Sequence, residues 1–478
     1  MLSLPKTQLN LEKIDQVFSA QQMTAQKWRS STANERINRL KKIRSWIKDH
    51  KKDIHKAVYA DFKKPIPEID LSEIYPVTSE INHSIKHLKS WMKAKSVATP
   101  LPMLGTQGKI LMEPKGQCLI ISPWNYPFNL AIGPLVSALA AGCTAILKPS
   151  ELTPNTSELV ERLISEVFPE DEVMVFQGEA DTAQALLAKP FDHIFFTGSP
   201  QVGKIVMRAA SEHLSSVTLE LGGKSPAIIQ NGANLSDAAQ KLVPGKFLNC
   251  GQTCVAPDYI LISKEDEDTF LNEMKVRIQQ AFDPKFKGID ATPDFARIVN
   301  DQHFKRLIEL LEDAMNKGAK VAFGGNYDPQ QRYIEPTILT EVTKDMRVMQ
   351  EEIFGPILPI LRYSELKEAI DFVNTQPKPL ALYYFGEDSK QKDQVLSETS
   401  SGNAVVNDCV LHFLHNELPF GGVNNSGIGK AHGYYGFQSF SNEKGILSQR
   451  VGTTSSTLLN PPYGARTKQI LNYLIRWF

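Results

Sequence analysis

The sequence predicts an α/β protein with two halves, each alternating strand and helix. Between residues 118 and 220, short apolar runs alternate with helical stretches: CLII, TAIL, EVMVF, HIFF and VTLEL. Strands spaced by helices are the signature of βαβ units and a parallel sheet. A second series follows at 227–229, at YILIS (259–263), at VAFGG (321–325) and at LALYYF (380–385). The 478 residues leave room for two or three domains at roughly 150 residues each. No long flexible linker separates the series, so the halves are expected to share a broad interface.

Residues 10 to 60 are charged and helical in pattern, uninterrupted by Gly or Pro. Residues 96–116 combine Pro and Gly with β-prone residues, which suggests an arm or hairpin leaving the first half. Gly116 to Leu147 carries no charged residue, a stretch longer than the ~20 apolar residues that cross a bilayer. It also holds Pro123, Pro127, Pro134, Asn125 and Asn129, which would leave polar groups unsatisfied in lipid. The better reading is a strand at 118–121, a loop SPWNYP, a buried helix from Phe128 to Ala141 and a strand at 144–147.

Composition excludes several classes of function. Hydrophobic residues make up 42% and charged residues 22%, an ordinary globular balance. A net charge of +0 and a pI near 7.1 offer no electrostatic case for nucleic acid. The start, MLSLPKTQLNLEKIDQVF, lacks an apolar h-region, so no signal peptide is expected. Cys118, Cys143, Cys250, Cys254 and Cys409 are few, odd in number and irregularly spaced, which fits a reducing, cytoplasmic compartment.

Four stretches carry candidate chemistry. In FLNCGQTCVAPD (247–258) two cysteines lie four residues apart. Zinc wants four ligands, and the one His pair read at suggestive spacing, His412 and His415, has no carboxylate-rich partner motif, so no metal is expected. Both cysteines could be buried fillers. The polar turn Gly251-Gln252-Thr253 instead favours an exposed Cys254 thiol at a cleft, a reactive nucleophile even at a small thiolate fraction. SVTLELGGKSP (216–226) ends an apolar strand on Glu220; this is either a salt bridge to a nearby Lys or a general base whose pKa burial has raised. SPWNYPFN (122–129) puts Asn125 in the loop after a strand, where sites of open α/β sheets form and an amide can donate to an oxyanion. FFTGSPQVGK (195–204) runs a strand into Gly198, Ser199 and Gly203 and then a helix starting near Pro200, whose free N–H groups suit a pyrophosphate.

Together NCGQTCVAPDY, LELGGKSP, SPWNYPFN, FTGSPQVGK, EEIFGP (351–356) and LPFGGVNNSGIG (418–429) resemble the aldehyde dehydrogenase superfamily, and in particular its class 3, fatty-aldehyde-type branch. The motifs are collinear over nearly the whole chain. The resemblance implies a Rossmann-type NAD(P)-binding domain at 1–95 and 117–220 and an α/β catalytic domain at 221–428. It also implies a small β oligomerisation arm at 96–116 and 429–455, with a C-terminal tail at 456–478. It makes Cys254 the nucleophile, Glu220 the general base, and Asn125 with the Cys254 backbone N–H the oxyanion hole. For the cofactor it implies Trp124, Lys148, Glu151, Gly198, Ser199, Gly203, Glu352 and Phe354, with Cys250 a bystander. The expected reaction captures an aldehyde on Cys254, passes hydride to NAD (NADP also usable), and hydrolyses the thioester to a carboxylic acid. A CoA-acylating enzyme is the alternative, and the presence of Glu220 argues against it. A silent homologue is disfavoured because Cys254, Glu220 and Asn125 are all present. The expected partners are an apolar aldehyde and a second copy of the chain, since class 3 members are usually dimers.

Two positions depart from the pattern. Pro244 stands where class 3 relatives usually carry Trp, which removes an aromatic wall from the substrate tunnel. Asn424 replaces a more common Gly in GGVNNSG. The chain closes on ARTKQILNYLIRWF (465–478), where Ile470, Leu471, Leu474, Trp477 and Phe478 share one face of a helix. No acidic residue follows Glu443. A basic amphipathic helix of this kind either docks on its own dimer or lies at the substrate entrance and touches a membrane surface.

Overall fold

The computed structural model describes residues 11–100, 103–452, 454, 457 and 460–477. Residues 101–102 of the arm, most of 453–459 and Phe478 lie outside that set. The two alternating series become two sheets. The first has six strands in the order Gly427–Ile428, Ser216–Leu221, His193–Gly198, Gln117–Ile121, Thr144–Lys148 and Val173–Val175, all parallel except the first. Strand Gln117–Ile121 is the switch point. The chain next adds Thr144–Lys148 on one side of it and later crosses to His193–Gly198 on the other, which opens a crevice at the strands' carboxyl ends.

Both faces of this sheet are covered, which is why its strands read as continuous apolar runs. Cys118 and Ile120 face a core shared with the helices Ala33–Asp49, Lys51–Phe62 and Tyr75–Trp91. Their neighbours Leu119 and Ile121 face the opposite core, with Ile14, Val17 and Phe18 of helix Leu11–Trp28. The uncharged stretch is strand, helix Asn129–Ala141 and strand, buried almost throughout. Among the described residues no helix is long and apolar enough to cross a membrane.

The second sheet has seven strands, ordered Lys320–Phe323, Thr337–Thr340, Ile357–Tyr363, Tyr259–Ser263, Pro226–Ile229, Ala381–Phe385 and Asn403–Val406. All of its pairings are parallel except the first. The arm is a separate antiparallel sheet of Lys95–Val97, Thr106–Pro114 and Ser441–Gln449, with eight successive residues of the last strand exposed. The terminal segment forms the expected helix, Ala465–Trp477, with Tyr473, Ile475 and Trp477 at 61%, 80% and 65% exposure.

Candidate active site

Four parallel strands of the first sheet end on one edge, and each delivers a residue singled out in the sequence. After Ile121 the chain enters the loop holding Trp124 and Asn125. The next strand ends on Lys148, whose buried ammonium lies 2.6 Å from Glu151 Oε2. A third strand ends at Gly198, and Ser199 caps helix Pro200–Ser211 by accepting the Val202 N–H at 3.3 Å. The fourth carries Glu220, in register with Thr197. A Cβ on Gly203 would sit 2.7 Å from Leu221 Cδ2, so the glycine lets the helix start lie close against the sheet without moving that side chain. A buried lysine and a carboxylate beside a capped helix N-terminus form a donor and acceptor set that fits a dinucleotide's ribose and pyrophosphate.

The turn before Cys254 is built from strained backbone. Helix Leu235–Phe247 gives way to Asn249, Cys250 and Gly251 at φ 54°, 56° and 72°. Gly251 is required there, because a Cβ would meet the Gly355 carbonyl oxygen at 2.3 Å. Amides lock the turn. Asn249 Nδ2 donates to the carbonyls of Asn125 at 2.9 Å and Gln252 at 3.1 Å. Gln252 Nε2 donates to Asn249 O and Arg297 O, and its Oε1 accepts the Val299 N–H. Asn125 Nδ2 donates to the Gln252 carbonyl at 3.1 Å, so the loop at 125 and the turn at 250 form one unit.

Beneath this unit lie charges that the sequence reading missed. The fully buried Lys64 ammonium holds Glu73 at 2.7 Å and reaches the Asn125 carbonyl at 3.3 Å. Glu68 Oε1 accepts the Asn249 N–H at 2.6 Å, and burial raises its carboxyl to about 7 against the pull of Lys64. Their signal was faint: Glu68 precedes, and Glu73 lies within, a π-helical turn at Asp70–Ile74, outside the period-3.6 pattern.

Cys254 and Glu220 line one cavity of about 390 Å³ between the two halves. Its exposed walls are mostly apolar, from Leu71, Leu130, Leu248, Val255, Phe413 and Phe420, while Tyr126, Asn129, Thr253 and His432 bring polar groups to its lining. Pro244 lines it too, inside its helix. Neither oxygen of Glu220 has a hydrogen-bond partner, so the salt-bridge alternative does not hold. Lys430 Nζ instead donates to the Gly421 carbonyl at 2.6 Å. Burial pushes the Glu220 carboxyl well above its ordinary range, and Lys430 only partly opposes this. The half-buried Cys254 thiol is pushed up to about 12, by burial first and then by Glu352 and Glu220. By contrast Cys250 is fully buried, and burial raises its thiol further.

EEIFGP closes the site from the catalytic side. Glu352 sits against Gly222, where a Cβ would lie 2.2 Å from its Oε2, and burial raises its carboxyl to about 8. Phe354 and Trp124 meet edge to face, with ring centroids 5.4 Å apart. All five cysteines are free. His412 stacks on Phe420 with both ring nitrogens buried and unpartnered, while His415 is exposed.

Two sheets meet at a thiol and an unpartnered carboxylate beside a helix N-terminus suited to a nucleotide, the frame of a nucleotide-using active site, and comparison with known proteins says which family builds it. The model of the Aldehyde dehydrogenase family matches residues 6–446, and the chain belongs to that family, as an NAD(P)-dependent oxidoreductase acting on aldehydes. It is 46% identical over 435 residues to the 4,4'-diaponeurosporen-aldehyde dehydrogenase of Staphylococcus aureus, covering 91% of this chain and 93% of that one. It is 42% identical over 440 residues to aldehyde dehydrogenase family 3 member A2 of Rattus norvegicus, covering 92% and 89%. The solved substrate-bound state of Staphylococcus aureus AldH superposes with a TM-score of 0.92 at 43% identity, over 96% and 99% of the two chains.

Proposed function

We propose that the enzyme oxidises apolar aldehydes, medium- to long-chain aliphatic ones above all, with NAD preferred over NADP. The observation that carries this is the cavity: thiol and unpartnered carboxylate share a mostly apolar chamber large enough for a hydrocarbon chain. In this reading the Cys254 thiol gives up its proton and the resulting thiolate Sγ adds to the aldehyde carbon. The oxyanion is met by Asn125 Nδ2, which carries a second hydrogen beyond the one given to Gln252. Nicotinamide, when bound, accepts the hydride. Glu220 takes a proton from the water that cleaves the Cys254 thioester and releases the acid. Lys148 and Glu151 hold the adenosine ribose. A carboxylate at 151 favours a 2′-hydroxyl over a 2′-phosphate, which is the ground for the NAD preference. Glu352 holds the nicotinamide ribose, and Trp124 and Phe354 wall its ring.

Homodimerisation through the exposed strand Ser441–Gln449, and contact of helix Ala465–Trp477 with an anionic membrane surface, complete the proposal for a cytoplasmic enzyme. The deciding experiment is a rate series with NAD from acetaldehyde to dodecanal, repeated with an aromatic aldehyde. kcat/KM should climb with chain length. A flat series, or a maximum at acetaldehyde, would refute the apolar-substrate reading.

A further inference from the structure

No metal is expected from the sequence, and His412 and His415, the pair weighed there, do not come together with a carboxylate among the described residues. Among the described residues, the one group of three side chains with ligand atoms close enough for an ion is His83, His87 and Glu417. The two histidines are four residues apart on helix Tyr75–Trp91, which puts both rings on one face, 4.5 Å between centroids. Glu417 comes from a loop more than three hundred residues further on and brings Oε1 to 3.6 Å from His83 Nε2. All three ligand atoms lie within 4.8 Å of one another. Donors on one ion at about 2.1 Å can stand at most about 4.2 Å apart, so closure asks only a small side-chain movement.

From this geometry we propose a binding site for a divalent first-row transition ion of the zinc, nickel or cobalt type. Two imidazoles and one carboxylate are the donor set such ions take, with water filling the open positions. The site is braced on three sides. His87 stacks toward Trp91, Asn416 Nδ2 donates to Ser79 Oγ at 3.1 Å, and the Gly433 N–H donates to Glu80 Oε1 at 2.8 Å. Lys86 on the same helix opposes a cation, and the Glu417 charge offsets it.

Such an ion would fasten two walls of the substrate chamber to each other. The helix bearing the histidines contributes Pro76 and Glu80 to that cavity, and the loop bearing Glu417 contributes Leu411, Phe413 and Leu414. The site therefore regulates the rigidity of the chamber and takes no part in its chemistry.

The test strips the full-length enzyme with chelator and titrates it with Co²⁺, reading visible d–d absorption, and with Ni²⁺ by calorimetry. Saturable binding and a raised thermal midpoint are expected in the wild type. His83→Gln, His87→Gln and Glu417→Gln should each weaken binding at least about tenfold, since even outer-shell changes cost that much. Glu417 is exposed, so Glu417→Gln keeps the test usable if a histidine variant folds poorly. Absence of binding below millimolar ion overturns the proposal. So does a signal that survives all three substitutions and disappears on thiol alkylation, which would place the ion on a cysteine.

Discussion

Gly251→Ala separates the backbone's part in the site from that of the side chains. At φ 72° an alanine pays the left-handed penalty of about 1–2 kcal/mol. Its Cβ would also stand 2.3 Å from the Gly355 carbonyl oxygen, roughly 1 Å inside a normal contact. Backbone is on both sides, so relief requires shifting either the turn that carries Cys254 or the loop that carries Glu352 and Phe354. A misplacement of about 1 Å at a reacting centre costs on the order of 10²-fold in rate. Gly232→Ala supplies the control, for its φ is 73° and nothing lies within 4 Å of the added Cβ. Both variants should lose similar stability to strain in denaturant titrations, with the clash adding to the loss at 251. Only Gly251→Ala should lose kcat, by about 10²-fold, followed as formation of reduced nicotinamide. A Gly251→Ala enzyme within twofold of wild type, or equal losses in both variants, would show that the close approach does not set the geometry of the thiol.

Cys254→Ala should abolish dehydrogenase activity and Cys250→Ala retain most of it; comparable losses would revive a paired-cysteine mechanism. Glu220→Gln should still give one turnover of reduced nicotinamide while steady-state turnover falls on the order of 10²–10⁴-fold. Because the folded carboxyl at 220 is raised, the wild type loses stability as pH climbs from the ordinary carboxylate range through the folded value. Glu220→Gln lacks that loss, so its thermal midpoint should gain on the wild type toward alkaline pH; parallel pH curves would contradict the buried, unpartnered carboxylate. Pro244→Trp should fill part of the cavity and shift the chain-length optimum toward shorter or aromatic aldehydes, as read from the same rate series. Deleting 465–478 should raise KM for long aldehydes more than short ones and weaken binding to anionic liposomes; a fall in stability alone would mark a docked helix.

Much of this was legible because the chemistry sits on local patterns. A continuous apolar strand ending in a carboxylate announced Glu220, and strand-to-helix turns announced Gly198, Ser199 and the loop at Asn125. Elements whose signal was non-local or broken were harder to read. Strand Ile357–Tyr363 is central in its sheet yet contains Pro359, which ordinarily argues against a central strand. Strand Ser441–Gln449 is exposed for most of its length and shows no apolar period. Nothing local in the sequence marks Lys64, Glu68 and Glu73 as buried. They are buried because folding brings the loop at 125 and the turn at 249 down upon them, a contact spanning up to 181 residues of sequence.

Those buried charges define by contrast what is unusual about Glu220. Lys64 is paired with Glu73, Lys224 with Asp258, and Asp61 accepts from Asn155 and Thr156. Each has the partners a charge needs away from water. Among the described buried carboxylates only Glu220 has both oxygens orphaned. Such a group costs stability whenever it ionises, and hydrophobic or amide replacements are cheaper for folding alone. Its neighbours compound the cost, since Glu352 and Glu220 both disfavour the Cys254 thiolate. Acids this close in a desolvated site disfavour one another's ionised forms and titrate as coupled groups. In the proposed mechanism Glu220 must take a proton from water, and a carboxylate whose pKa burial has raised is the stronger base once ionised. A buried carboxylate with no partner is costly for folding, and this supports the proposed role of Glu220 in the reaction.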